Sequence, residues 1–329
     1  MNLPTLLQDY RNCKQGVGMR QATSVSLVEA KGSDFLDLIN RISTNHLEDL
    51  AIGGGVNTIL TTEKGRILDV LTISSIENSY LILTGGSNGQ TVVDWIDKFV
   101  FMEDVTLTNL SPHFLMLNII GPHASKILEE FSRTSLLELE PLSNTSITIS
   151  KKQLTLIRGN LGSLDSFYLI VPKKDFSFIS QQLNSRGAHW ICEVSWEALR
   201  IEYEIPIFGK EIGEQYNPLE VGLENLIDFD KGCYIGQEVI ARLDTYNKVK
   251  KRLVSLSIDS SYSCSAGQQI YLDGKVVGQV TSIAMHPNGL EYIGLGFLRV
   301  GPLGQAENFT LTPDGLGIIR LRRNEFSKP

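Results

Sequence analysis

The sequence predicts an α+β protein: two related α+β units, each an antiparallel sheet covered by helices, followed by a small all-β domain. Three observations carry this reading. The strand and helix patterns of the first unit recur in the second: Gly32 and Gly121, before the first helix of each, lie 89 positions apart, and Tyr80 and Tyr168, in late strands, lie 88 apart. From Arg252 onward the texture changes to short strands separated by turn residues. At 329 residues, 42% hydrophobic and 20% charged, the chain is too long for one ordinary core and too apolar for disorder, so two or three folded domains are expected. Their boundaries fall at 1–110, 111–250 and 251–329.

Taken in order, SVSLVEA (24–30) reads as a strand and GSDFLDLINRIS (32–43) as an amphipathic helix, with Ser33 or Asp34 as N-cap and Phe35, Leu38, Ile39 and Ile42 on its apolar side. NTILTTEKGRILDVLTIS (57–74) is a hairpin in which Gly65 supplies the positive φ of the turn. YLILT (80–84) is a strand, and the segment after Gly89, with Val92, Val93, Trp95, Ile96 and Phe99, is a helix. In the second unit FLMLNII (114–120) is a strand and GPHASKILEEF (121–131) a helix with Pro122 in its first turn. QLTLI (153–157) and SFYLIV (166–171) are strands, and a helix runs from about Asp175 to Ser185. Residues 196–243 are mixed and loop-rich. Six short strands then follow, punctuated by Asp273-Gly274, Pro287-Asn288-Gly289 and Pro313-Asp314-Gly315, as in a small barrel or sandwich.

Net charge is −7, so no global basic field draws nucleic acid or anionic membrane, and direct nucleic-acid binding is not expected. Two local clusters, Lys248, Lys250, Lys251, Arg252 and Arg320, Arg322, Arg323, read as solvated strand ends. No apolar run approaches the roughly 20 residues of a membrane span, and MNLPTLLQDYRNCK lacks the basic start and apolar run of a signal peptide. Cys13, Cys192, Cys233 and Cys264 form no C-x-x-C pair and the five histidines are scattered. Neither a metal site nor a disulfide framework is expected, and the reading is a cytoplasmic protein with reduced thiols.

The chemistry concentrates in KGCYIGQEVIARL (231–243). Gly232 and Gly236 permit unusual backbone angles, and Gln237 to Leu243 is a good helix former. Cys233 then sits near a helix start and near Lys231, both of which favour a thiolate. A small apolar cysteine packed behind two turn glycines is the alternative, and local physics does not separate the two. Upstream, Glu197, Glu202, Glu204 and Glu220 offer carboxylates of a kind that accepts parallel N–H bonds from a flat heterocycle, or are simply solvated. Asp69 closes GRILD; facing inward it would be a base or electrostatic anchor, facing outward a ladder residue.

Taken together, these segments resemble a known family. KGCYIGQE followed by Ala241-Arg242 is similar to the signature of YgfZ-type folate-binding proteins, relatives of the glycine-cleavage T-protein (aminomethyltransferase). RISTNHLEDL (41–50), LTTEKGRILDVL (60–71), IGPHASKILEEF (120–131) and LRIEYEIPIFGKEI (199–212) fall in the family's order, so the resemblance covers nearly the whole chain. It implies two ferredoxin-like domains and a C-terminal barrel in a ring, with tetrahydrofolate or a folate derivative near the centre. By position, Glu202 resembles the carboxylate that holds the pterin ring, and Asp69 lies in the aspartate region near the reacting one-carbon group. Lys231, Cys233, Tyr234, Gln237 and Arg242 belong to the signature; the resemblance implies Cys233, with Asp69, as a catalytic residue and Lys231, Tyr234, Gln237 and Arg242, with Glu202, as cofactor-binding residues. There are two departures. T-proteins usually show two adjacent acids where this chain has Asp69-Val70, and the glycine common after R-x-E is Glu204 here, a change expected to reshape that loop. Both favour a tetrahydrofolate-binding accessory protein for iron–sulfur cluster assembly or repair, and thereby tRNA modification, with iron–sulfur client proteins as partners. An aminomethyltransferase is the alternative, and a non-catalytic binding module the third reading.

Overall fold

The computed structural model describes residues 3–132, 135–161, 164–303, 306 and 308–322; Arg323 of the second basic cluster lies outside them. The chain opens with α1 (Leu3–Gln15) and β1 (Gly18–Gln21). The first unit comprises β2 (Val25–Lys31), α2 (Phe35–Ile42), β3 (Gly55–Thr61), β4 (Ile67–Ile76), β5 (Ser79–Gly85), α3 (Gly89–Asp97) and β6 (Thr106–Asn109). The second comprises β7 (Phe114–Ile120), α4 (Ala124–Glu129), β8 (Asn144–Ile149), β9 (Lys152–Arg158), β10 (Ser166–Pro172), α5 (Phe176–Asn184) and β11 (His189–Trp190). A linking segment holds α6 (Glu193–Glu202), α7 (Pro218–Val221) and α8 (Gln237–Thr245). The last domain runs through β12 (Lys251–Asp259), β13 (Gln269–Leu272), β14 (Lys275–Met285), β15 (Glu291–Arg299), α9 (Val300–Leu303), β16 (Asn308–Thr310) and β17 (Ile318–Leu321).

Three sheets result. The first is five-stranded, in the order β3-β4-β5-β2-β6; the second is six-stranded, β11-β1-β7-β10-β9-β8; and β12-β15-β14-β13-β16-β17 closes into a barrel. The α+β class, the duplication and the terminal barrel therefore stand as read from the sequence. β8-β9-β10-β7 repeats the order β3-β4-β5-β2, but the strand beside β7 is β1, from the start of the chain. Residues 18–21 thus complete the second sheet, pairing antiparallel with β7 from Gly18↔Ile120 to Gln21↔Leu117.

Each of the two open sheets is covered by helices on one face and meets the other open sheet with its second face. On the outer face of the first, Phe35, Leu38 and Ile39 of α2 and Val92 and Ile96 of α3 pack on Val28, Ile73 and Ile82. On the second, Ala124 and Leu128 of α4 and Ile179 and Leu183 of α5 cover Leu117, Ile119, Phe167 and Leu169. Burial of each such side chain contributes about 1.5–3 kcal/mol, so the helices are held by their apolar stripes. The inner faces meet each other through Leu27, Leu81 and Leu83 on one side and Ala22, Met116, Ile157 and Ile170 on the other. This sheet-on-sheet contact creates the central cleft.

The glycine landmarks have a structural cause. Gly32 and Gly121 have φ of +116° and +132°, and an added Cβ would lie 1.7 Å from the Asp104 carbonyl oxygen in one unit and 2.4 Å from that of Gly16 in the other. The tyrosines are not equivalent. Tyr80 packs toward the helices, its ring 4.9 Å from that of Phe35, whereas Tyr168 turns to the inner face. Tyr80 lies opposite Ala30, and Phe167 lies opposite Ile119, 89 positions after Ala30, so Phe167 is the counterpart of Tyr80 and Tyr168 points to the other face.

Candidate functional site: the cleft between the two sheets and the motif beside it

Asp69 is 1% exposed. The strand pairing shifts register between Leu60 and Thr61, leaving Leu68 as an extra residue in β4. The bulge breaks the alternation: Ile67 and Val70 join one core while Leu68 and Leu71 join another, and Asp69 lies at the break. Its Oδ1 accepts from the Val70 N–H at 2.8 Å, and its Oδ2 accepts from the Gly85 N–H at 3.0 Å and Asn88 Nδ2 at 2.8 Å. Burial pushes the Asp69 carboxyl above the usual range, against the pull of these donors. Asp69 thus faces inward, the first of the two orientations the sequence allowed.

Asp69 borders a cavity of about 180 Å³ whose walls include Val70, Leu83, Tyr168, Trp196 and Phe208. Phe208 and Ile212 also wall a second cavity of about 320 Å³, which reaches Asn88 and Trp95. Together the two fall within the roughly 300–1,000 Å³ of small-molecule sites. Trp95 and Glu214 lead on to a third hollow of about 520 Å³, bordered by Lys64, Arg66 and Ile235 of the motif.

On the second sheet, Arg20, Asn118 and Tyr168 form one cross-strand row. Arg20 is 3% exposed, lies 4.6 Å over the Trp196 ring and donates to Glu193 at 3.0 Å. Among the described residues, Arg20 Nε, Asn118 Oδ1 and Trp196 Nε1 are buried without a hydrogen-bond partner. Such orphans are costly in a finished core and suit a site that receives polar edges from a ligand. Sequence reading missed Arg20, Tyr168 and Trp196 as site residues, because each comes from a different element and no local spacing links them.

Glu202 closes α6 and is directed at α1, where its Oε1 accepts from the Tyr10 hydroxyl at 2.9 Å and pairs with Lys14 Nζ at 3.1 Å. Burial, then the Glu202 charge, holds the Tyr10 phenol well above its ordinary value. Glu204, expected to reshape its loop, instead takes φ +57°, the left-handed turn that a glycine would supply. Glu220 forms a capping box with Asn217 at the start of α7, and Glu197 is held by Arg200.

The motif wraps the β3 edge of the first sheet, where the Thr61 hydroxyl donates to the Ile235 carbonyl at 2.5 Å. Lys231 Nζ donates to the carbonyls of Asn40, Ser43 and Asn45 and to Asn40 Oδ1, at 2.5–3.1 Å, so it caps the C-terminus of α2. Burial pushes its ammonium down to about 8. Tyr234 is 7% exposed in the core beneath, and burial pushes its phenol up to about 12. Gly236 has φ +85°, and a Cβ there would lie 2.6 Å from the Thr62 carbonyl, which seats the start of α8 on the β3–β4 turn. Gly232 has open space around it and needs no such angle. Gln237 contacts the Lys231 carbonyl at 3.5 Å, Arg242 is exposed on α8, and Cys233 is an exposed free thiol.

A buried clamp joins these parts. Arg200 and Glu211 are both 0% exposed and pair at 3.1 Å; Glu211 also accepts from the Ile207 N–H and from Thr281 and Ser282 of β14. The cleft-lining loop 205–212 is thereby tied to the barrel.

Two facing helix-covered sheets, a carboxylate buried in the cleft between them and a clamped β-barrel define a three-domain protein of the T-protein type. The chain belongs to the family described as the GCVT N-terminal domain, which matches residues 3–231, and residues 251–316 match the glycine cleavage T-protein C-terminal barrel domain. An aminomethyltransferase of Symbiobacterium thermophilum is 27% identical over 90% of this chain and 82% of its own. One from Bacillus licheniformis is 24% identical over the same shares. A protein of Arabidopsis thaliana, named provisionally as a chloroplastic transferase, is 27% identical over 92% of this chain and 70% of its own. The crystal structure of the glycine cleavage system aminomethyltransferase T from Bartonella henselae shares the fold, with a TM-score of 0.84, 18% identity, and 98% of this chain and 89% of that one covered. Among the described residues no helix is long and apolar enough to cross a membrane.

Proposed function

We propose that this protein binds tetrahydrofolate in the cleft between its sheets and serves as a cytoplasmic accessory factor for iron–sulfur cluster assembly or repair in client enzymes, tRNA-modifying ones among them. The observation that carries the reading is the division of labour between an apolar-walled cleft that holds a buried carboxylate and an exposed thiol. Asp69 lies buried at the cleft wall beside Val70, where T-proteins usually carry a second acid, while Cys233 is exposed on the motif loop. The residues present fit the cofactor: apolar walls for a flat ring, a carboxylate, and the unpartnered Trp196 Nε1 and Arg20 Nε as donors. When bound, tetrahydrofolate supplies a one-carbon carrier. Asp69 would stand at the cleft wall as a buried acceptor for a polar edge of the ring, Phe208 and Leu83 would exclude water from it, and Cys233 would stay available to a cluster or a client protein at the surface. Glu202, engaged by Tyr10 and Lys14, supports the cleft through α6, whose Trp196 forms part of its wall.

An aminomethyltransferase is the second reading, favoured by the names of the bacterial relatives and by the ordered Asp69. The two separate in one experiment. Cys233→Ala is expected to bind tetrahydrofolate like the wild type yet fail to restore cluster-dependent activities in cells lacking the endogenous homologue, whereas Asp69→Asn loses folate affinity roughly tenfold or more. Full restoration by Cys233→Ala sinks the accessory role. Aminomethyl transfer that survives Cys233→Ala and is lost in Asp69→Asn establishes the second reading.

A further inference from the structure

The basic run 248–252 does not behave as one solvated patch. Arg252 pairs with Glu224 at 3.2 Å, and Lys248 lies over the ring of Tyr246 at 5.1 Å. Lys251, at the first position of β12, is instead directly opposite Arg299, at the last position of β15. Both border a concavity of about 290 Å³ at the rim between the linking segment and the barrel, with no acid in its lining. Its floor is a pair of stacked rings, Tyr216 and Phe297, with centroids 3.9 Å apart and planes at 14°; Lys251 Nζ is 4.3 Å from the first centroid and 5.1 Å from the second. Gln269 and Gln279 form the next cross-strand pair along the wall. Gln269 accepts from the Tyr271 hydroxyl through Oε1, which leaves its NH2 group as the donor for the pocket.

Like charges directly opposite on paired strands repel. Among the described residues no carboxylate stands within salt-bridge distance of Lys251 or Arg299. Glu220, whose field reaches Lys251, is already held by Arg66 at 3.5 Å and by its capping box with Asn217. Two uncompensated cations, Lys251 over an aromatic floor and Arg299 opposite it, flanked by an amide donor, match a tetrahedral dianion: Arg299 offers a planar fork, Lys251 a point charge, and Gln269 an N–H.

We propose that this pocket binds a phosphoryl group, either free inorganic phosphate or the phosphate of a small organic molecule whose body rests on the barrel wall. It lies outside the cleft and does not depend on the folate reading. Calorimetric titration of the full chain at low ionic strength with inorganic phosphate, adenosine monophosphate and adenosine tests it and separates the two sources. Binding of phosphate, of the monophosphate, or of both, without binding of adenosine, is the expected result. Arg299→Gln and Lys251→Gln should each weaken it roughly tenfold or more, while Arg252→Gln leaves it unchanged. Because Arg299→Gln removes a repulsion and no ring contact, its melting temperature should equal or exceed that of the wild type, which keeps loss of binding distinct from loss of fold. Absence of binding by both phosphates at millimolar concentration overturns the proposal. So does adenosine binding as well as its monophosphate, or an equal loss in Arg252→Gln, which would mark diffuse surface charge.

Discussion

Removing Glu211 should be the most damaging single change outside the hydrophobic cores. In Glu211→Ala, Arg200 keeps its bonds to Glu197 at 2.5 and 3.0 Å and to the Ile205 carbonyl at 3.2 Å, but loses the buried carboxylate on its other edge. The Ile207 N–H and the Ser282 hydroxyl lose an acceptor as well, whereas Thr281 retains the Leu295 carbonyl. Breaking a buried ion pair from one side costs about 3–5 kcal/mol. Each stranded donor adds about 1–3 kcal/mol unless water reaches it, so a loss near the top of the first range is expected, against a domain stability of about 5–15 kcal/mol. Replacing both partners, Arg200→Met with Glu211→Leu, removes the uncompensated charge and should cost less than Glu211→Ala alone. Urea unfolding at neutral pH, followed by the emission of the chain's three tryptophans, Trp196 on the same helix as Arg200 among them, measures all three proteins. A loss below about 1 kcal/mol in Glu211→Ala, or a double variant less stable than the single one, would show that the clamp does not hold the linking loop to the barrel.

Three further outcomes follow from backbone and charge. Glu204→Gly relieves a left-handed non-glycine residue and should stabilise the chain by about 1 kcal/mol, seen as a higher urea midpoint; a lower midpoint would mean the Glu204 side chain matters more than its φ. Gly236→Ala meets the Thr62 carbonyl at 2.6 Å from a positive φ and should cost about 2 kcal/mol or more, whereas Gly232→Ala, with open space around it, should change stability by less than about 0.5 kcal/mol. Equal effects at the two glycines would contradict the seating of α8. For Lys231, burial lowers the folded-state pKa from 10.5 to about 8, so the folded chain binds fewer protons than the unfolded chain between those values. Stability of the wild type relative to Lys231→Met should therefore rise from about pH 8 to 10.5, and unfolding curves showing a flat difference across that window would refute it.

The fold was legible where periodicity is local. The 89-residue spacing of Gly32 and Gly121 reports a backbone demand made twice, and six turn-bounded strands announced the barrel. Expectation failed where partners are distant in sequence. No helix was read over residues 3–15, although Leu6 and Cys13, seven apart, are both buried; β1 finds its partner about a hundred residues later. The inward turn of Asp69 depends on a bulge, which alternation alone cannot anticipate. Arg200 and Glu211 are eleven residues apart, on no common helical face, and their pairing required the barrel strand that supplies Ser282. The motif glycines looked alike in sequence, yet only Gly236 has a positive φ and a close neighbour.

The loop-rich character of residues 196–243 has a physical reason. A helix presents one face and a strand two, but this segment must serve three bodies at once. Through Arg200 and Glu211 it grips β14, through Phe208 and Ile212 it walls both cavities, and through Lys231 and Gly236 it caps α2 and seats on the β3–β4 turn. Successive short elements joined by irregular backbone meet those separate demands, with buried hydrogen bonds replacing regular ladders. One consequence is that a ligand pressing on Phe208 and a protein engaging Cys233 act on the same continuous segment, clamped between them at Glu211. Disrupting that clamp should therefore weaken the proposed folate binding as well as stability, while a change at Cys233, which is exposed and lies in none of the cores among the described residues, should leave both intact.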